Sequence, residues 1–210
     1  MRQRAKKADK GFSLVELLIV IAVISVLASM AIMSTMSSTY GSKANDAMFE
    51  VITQLRTARE IAVTKRRNVL VTFTAPNEIQ LTVETLPGET PATPIAPVYL
   101  NDGVPGGNIF YVYPGLPDTP MGFGNSSAIT LTPATGGTAG LAVMFSTSGA
   151  LVGSTGTSGY NTVGDNNPVN ASIFTGIAGQ GNTARAVTVM GTTGRVRSYS
   201  WTGTTWQEEQ

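Results

Sequence analysis

"KGFSLVELLIVIAVISVLASMAIM", Lys10 to Met33, is the stretch whose reading decides the fold. No charged residue occurs between Glu16 and Lys43. The core of that run, Leu17 to Met36, has the ~20 apolar-rich residues that a helix needs to cross the hydrocarbon of a bilayer. Arg2, Arg4, Lys6, Lys7 and Lys10 lie before it. The bias of basic residues predicts an N-terminus in the cytoplasm and a body on the far side. Glu16 is the anomaly, because a carboxylate at membrane depth is costly and usually serves a function.

Two plainer readings compete. A secretory signal peptide has a shorter apolar region ending at a small-residue cleavage site, which "VLASMA" imitates, but this run is longer. A simple anchor, with Glu16 reaching the interface, explains the span and leaves the residues around Glu16 unexplained.

"KGFSLVELLIVIAVI" resembles, position by position, the class III leader of type IV pilins and type II secretion pseudopilins. In that leader a basic, polar segment ends in Gly, followed by Phe and by Glu at the fifth mature position. The resemblance implies cutting by a prepilin peptidase between Gly11 and Phe12, methylation of the Phe12 amine, and Glu16 as the assembly carboxylate. It implies other pilins, an inner-membrane assembly platform and membrane lipid as partners, no cofactor, and residence in a bacterial inner membrane with the body periplasmic or exported in a filament. Cutting there removes five cations and keeps the apolar helix in the membrane. A buried carboxylate is tolerable in a filament only if a neighbour supplies a positive partner, and the Phe12 amine of an adjacent subunit is that candidate. Many pilins carry Pro where this chain has Met33, so local melting of the helix there is not expected on the same ground.

The chain of 210 residues contains no Cys and no His. That removes thiol nucleophiles, disulfides, Ser-His-Asp relays and the commonest zinc ligands, so an enzyme is not expected. Five of the 14 basic residues and one of the 13 acidic ones precede Phe12, leaving nine against twelve and a side-chain charge of about −3 on the body. Nucleic-acid binding would need a local basic patch.

Ala44, Met48, Val51, Leu55, Ala58 and Ala62 recur at helical spacing among Lys43, Asp46, Glu50, Arg56 and Glu60. They predict an amphipathic helix continuing the apolar one, from Phe12 to about Lys65 and roughly 80 Å long. "TKRRN", Thr64 to Asn68, places cations at its C-terminus, where the helix dipole favours them. The period then becomes two. Val69 to Leu86 reads as a hairpin about Pro76-Asn77, and the proline-rich Pro87 to Pro97 as a loop. Further strands are expected at Ile109–Tyr113, Ala128–Thr132, Leu141–Ser146, Asn170–Thr175, Ala186–Met190 and Val196–Trp201, with a long loop over Val152–Asn167. The fold class is α+β: a long N-terminal helix, transmembrane in its first half, then a small antiparallel β-sandwich or sheet domain. The expected divisions are 1–11 leader, 12–42 transmembrane and assembly helix, 43–66 amphipathic helix and 67–210 β-rich periplasmic domain.

Three segments are similar to H-type minor pseudopilins of type II secretion and to FimT-like minor type IV pilins: "QLRTAREIAVTKRRNVLVTF", "VMFSTSGALVG" and "ARAVTVMGTTGRVRSYS". The middle, Pro87 to Gly140, matches nothing in that group. In "GRVR", Arg195 and Arg197 stand two apart on an expected strand and so share a face. The FimT likeness implies that these two arginines contact DNA during uptake; the plainer reading is a turn at Gly194 with solvated or locally paired arginines. "GDNNPVN", Gly164 to Asn170, has oxygen ligands but not the EF-hand spacing, and reads as a turn, as does Asn101 to Gly103. "QEEQ" reads as a frayed tail. Tyr111, Tyr113, Trp201 and Trp206 would stack on bases only if they flank the arginines.

Overall fold

The computed structural model describes residues 13–85, 94–100, 107–132, 141–153 and 167–209, and of residues 31–38 and 141 the backbone alone. The chain divides into two units, Met1–Thr39 and Tyr40–Gln210. Helix α1, Leu14–Lys65, begins in the first and ends in the second.

In the first unit the sequence is crowded with Val and Ile, whose branched side chains are poor helix formers in water. Helix is nevertheless the form that satisfies every backbone group within one segment, which an apolar medium demands. Even the hydroxyls turn inward: Ser25 Oγ donates to Ile21 O at 2.8 Å and Ser29 Oγ to Val26 O at 2.7 Å. The large apolar side chains from Leu14 to Met30 are 49–77 % exposed. Among the described residues no helix is long and apolar enough to cross a membrane. Side chains 31–38, which include the end of the Leu17–Met36 core, lie outside that description.

In the second unit α1 turns Ala44, Met48, Val51, Leu55, Ala58 and Ala62 inward, each no more than 1 % exposed, as the spacing predicts. The helix ends at Lys65 without a glycine. Arg66 takes φ 52° and the Arg67 N–H donates to Ala62 O at 3.2 Å, the six-to-one bond of a Schellman ending.

Among the described residues eleven strands form two antiparallel sheets. The first has the order β3-β2-β1-β6-β7, with β1 Val69–Thr74, β2 Glu78–Val83, β3 Val98–Tyr99, β6 Leu141–Phe145 and β7 Leu151–Gly153. The second has the order β11-β10-β9-β8-β4, with β5 also on β8; these are β4 Ile109–Phe110, β5 Ile129–Thr132, β8 Asn170–Gly176, β9 Arg185–Met190, β10 Arg195–Trp201 and β11 Trp206–Glu209. The expected hairpin is present, Val69 opposite Val83 and Thr74 opposite Glu78. One core joins Leu55 and Ala58 of α1 to Val71 and Phe145 of the first sheet and Ile173, Val187 and Val189 of the second.

The expectations need four corrections. "QEEQ" is no frayed tail: Trp206–Glu209 pairs with β10, Ser198 opposite Glu209. The strand expected at Ile109–Tyr113 stops at Phe110, because Tyr113 leaves the sheet to bond Ile177 O, Gln180 O and the Thr183 hydroxyl. Leu151–Gly153 and Val98–Tyr99 are strands too short to show a period. Asn101–Gly103 and Asp165 lie outside the described residues.

Candidate functional site

Of the leader residues, Gly11 and Phe12 lie outside the described residues. Glu16 stands in the first turn of α1, exposed. The helix opens with the Leu17 N–H donating to Ser13 O at 3.2 Å. Ser13 and Glu16 have the spacing of a capping box, yet the Glu16 carboxylate has no hydrogen bond or ion pair among the described residues. The positive end of the helix favours an anion there. It provides no counter-ion.

At the other end of the chain, β10 places Arg195 opposite Met190 and Arg197 opposite Thr188 on β9. Both arginines line one cleft of about 200 Å³ with those two residues, so they share a sheet face, as their spacing predicts. They differ in environment. Arg197 Nη1 meets Glu208 Oε2 of β11 at 3.3 Å, whereas the exposed Arg195 side chain has no hydrogen bond or ion pair among the described residues. Arg195 also opens into a cleft of about 790 Å³ lined by Arg56, Arg59, Glu60 and Val63 of α1. The sequence reading did not connect these helix cations with Arg195. The available signal was the spacing of three and four among residues 56, 59, 60 and 63, which puts them on one flank.

The wall of that cleft is built from backbone. Arg59 Nε donates to Gly149 O at 3.2 Å in the β6–β7 turn. Gly149 has φ +82° and Gly194, in the β9–β10 turn, φ +63°. A Cβ on Gly194 would lie 2.1 Å from Gly149 O and 2.7 Å from Arg59 Nε. Only glycine permits both that φ and that approach. Arg59, Gly149 and Gly194 come from the three segments that carry the minor-pilin resemblance, so those separated stretches meet at one junction.

A second arginine performs a structural task. Arg185 on β9, 7 % exposed, donates through Nε to Asn45 Oδ1 of α1 at 2.7 Å and through Nη1 to Asn182 O and Ala184 O. Burial pulls its pKa below the usual arginine value, against the attraction of Glu209. The aromatics pair with one another: Trp201 and Trp206 have ring centroids 5.3 Å apart, Tyr111 and Tyr113 4.8 Å, and Trp206 Nε1 donates to Pro117 O at 2.8 Å. Trp201 lies four residues beyond Arg197 on β10, ~13 Å along the strand, so it does not flank Arg195. Among the described residues no group of three or more His, Cys, Asp or Glu is placed to hold a metal ion.

Residues 6–32 match the family model described as the prokaryotic N-terminal methylation motif. No curated protein and no solved structure matches the chain. The motif is the leader of class III prepilins. It supports a type IV pilin-like, membrane-anchored protein that is processed by prepilin peptidase, methylated, and assembled with other pilins.

Proposed function

We propose that the chain is a minor pilin or pseudopilin of the H-type and FimT-like group, a structural subunit and not an enzyme. It is cut between Gly11 and Phe12, methylated on the Phe12 amine, and held by Leu17–Met36 with its N-terminus on the cytoplasmic side of the inner membrane. From there it is built into a pilus-like filament serving type II secretion or a type IV pilus. The observation that carries this reading is Glu16, without a partner among the described residues, in the first turn of a helix with exposed apolar side chains, inside the matched methylation motif.

The chemistry is economical. Hydrolysis of the Gly11–Phe12 bond frees an amine, and a single methylation leaves a secondary amine that remains protonated at neutral pH. Glu16 of one subunit then meets the Phe12 ammonium of the next, so each charge enters the apolar bundle already paired. The exposed Leu, Ile and Val side chains are covered first by lipid and then by neighbouring helices. Glu16→Ala should be processed normally and fail to enter filaments; incorporation at the wild-type level would end the pairing idea.

The junction of Arg59, Gly149 and Gly194 supports assignment to the minor-pilin subgroup, since it gives the three resembling segments a common physical reason. DNA binding during uptake is the second reading, with Arg195 beside Arg56 and Arg59 in its favour. The Arg197–Glu208 pair weighs against it. Duplex DNA titrated against the full-length protein in detergent tests it: no salt-sensitive binding, or no loss on Arg195→Ala with Arg197→Ala, removes it.

A further inference from the structure

A groove runs between α1 and β10 in two stretches, of about 790 and 310 Å³, that share Arg56, Arg195 and Val196. Arg56 and Arg195 are exposed, and neither side chain has a hydrogen bond or ion pair among the described residues. Phe49 lines the smaller stretch and Val63 the larger, and they are 50 % and 45 % exposed. Phe49, Arg56 and Val63 are spaced by sevens, so they lie nearly in line along the helix. The groove thus offers unpaired cations between two apolar side chains.

That pattern does not suit a polyanion. Glu60 stands in the larger stretch, Glu208 in the smaller, and Arg197 is already matched to Glu208. A phosphate backbone carries a charge at every step and would meet carboxylates beside each free arginine. A polypeptide with an isolated carboxylate next to an apolar side chain fits better.

This chain displays such a segment itself. Asp46 is exposed, without a partner among the described residues, and precedes the half-exposed Phe49 on the same outer stripe of α1. Asp46 precedes Arg56 by ten residues, ~15 Å along the helix axis. We propose that the groove receives the Asp46–Phe49 segment of a second copy of this chain, displaced along the helix, with Asp46 against Arg56 and Arg195. The donor carboxylate Asp46 lies outside the groove lining and the two patches overlap only at Phe49, so the contact is heterologous and repeats head to tail instead of closing a dimer. The inference rests on the filament-subunit reading and adds the surface by which one body meets the next.

The test uses full-length protein in detergent micelles and sedimentation to read association. Wild type should form oligomers that grow with concentration. Asp46→Lys alone, and Arg56→Glu with Arg195→Glu alone, should each weaken association by about tenfold or more. Mixing those two variants supplies a native pairing, Asp46 on the arginine groove, and a charge-reversed pairing of the Asp46→Lys donor with the Arg56→Glu, Arg195→Glu groove, so the mixture should form alternating oligomers that grow with concentration although neither variant does alone. Combining all three substitutions in one chain should restore growing oligomers. Recovery in the mixture also shows that both variants fold. A monomeric wild type, or variants that associate like it, would overturn the proposal. So would duplex DNA binding that is steeply salt-dependent and abolished by the arginine pair, which would give the groove to nucleic acid. The filament-subunit reading fails separately, on the mass of the processed chain, because sedimentation reads this contact whether or not the leader has been removed.

Discussion

Arg66 closes α1 in the left-handed region at φ 52°, where an L side chain is strained. Arg66→Gly should therefore stabilise the protein by about 1 kcal/mol and raise Tm by about 2–4 °C, read by thermal unfolding. Gly194 has the opposite character: φ +63° and a virtual Cβ 2.1 Å from the Gly149 carbonyl, which is backbone and cannot swing aside. Gly194→Ala should cost about 3 kcal/mol. A matched Gly179→Ala, at φ +80° with nothing within 4 Å of its Cβ, should cost about 1 kcal/mol from conformation alone, and equal losses would refute the close approach. Glu84 adds a pH signature. Burial raises its pKa, partly offset by a hydrogen bond from Asn68, so the folded state holds the proton more tightly than the unfolded chain. Its contribution is present below the ordinary carboxylate value and is lost as pH rises through the raised folded value. Glu84→Gln should flatten that fall in denaturant midpoints measured across mildly acidic pH; an unchanged slope would exclude Glu84 as its source. Residue pairs two or four apart were legible in the sequence, as Arg195 with Arg197 and Val51 with Leu55 attest. Arg59 with Gly149 was not, because ninety positions and six described strands separate them before a turn brings the carbonyl back to the helix.

The elements that could be read are those with a period and enough length to repeat it. The outer half of α1 repeats its apolar positions for five turns, and β1 and β2 alternate about a turn residue pair, so both stand where the spacing places them. Strands β3 and β7, of two and three residues, have no room for a pattern. Edge strand β11 was hidden by its charges, although charge is how natural sheets protect an edge. Strands β8 and β9 are buried along almost their whole length because Val112 and Met121, from an irregular segment, pack over Phe174, Ala186 and Tyr199. No period marks a covering loop. For β11 the packing and the charge can be separated. Its Arg197–Glu208 pair is partly exposed, so Glu208→Ala should change stability by no more than about 1 kcal/mol. Trp206 packs edge-on against Trp201 and tilted against Phe174, and donates to Pro117 O. Trp206→Ala should cost about 2–3 kcal/mol, with faster hydrogen exchange along β10 and β11. The reverse order of effects would mean that the ion pair, and not the aromatic anchor, holds the edge.

At the scale of the whole molecule, the consequence of processing is a change of sign. The 210-residue chain carries a formal charge of +1 and a sequence pI of about 8.0. Residues 1–11 hold five of its cations and one carboxylate, so the proposed cut after Gly11 would leave about −3 from side chains, offset only partly by the new amine of Phe12. A chain left uncut would keep its five leader cations, and one cut after "VLASMA" would lose the apolar helix as well. Cutting at Gly11 predicts a combination that neither alternative produces. The processed chain stays in the membrane fraction, focuses below neutral pH, and has the mass of residues 12–210 plus one methyl group. Co-expression with a prepilin peptidase, followed by membrane extraction, intact-mass measurement and isoelectric focusing, reads all three. A soluble product, or an extracted chain that retains its basic leader in the presence of the peptidase, would remove the premise on which Glu16 docking depends. Retention with the expected mass but without the methyl group would leave a primary ammonium at Phe12. Glu16 would still have a cation to pair with, so assembly should then survive the loss of methylation and not the loss of the cut.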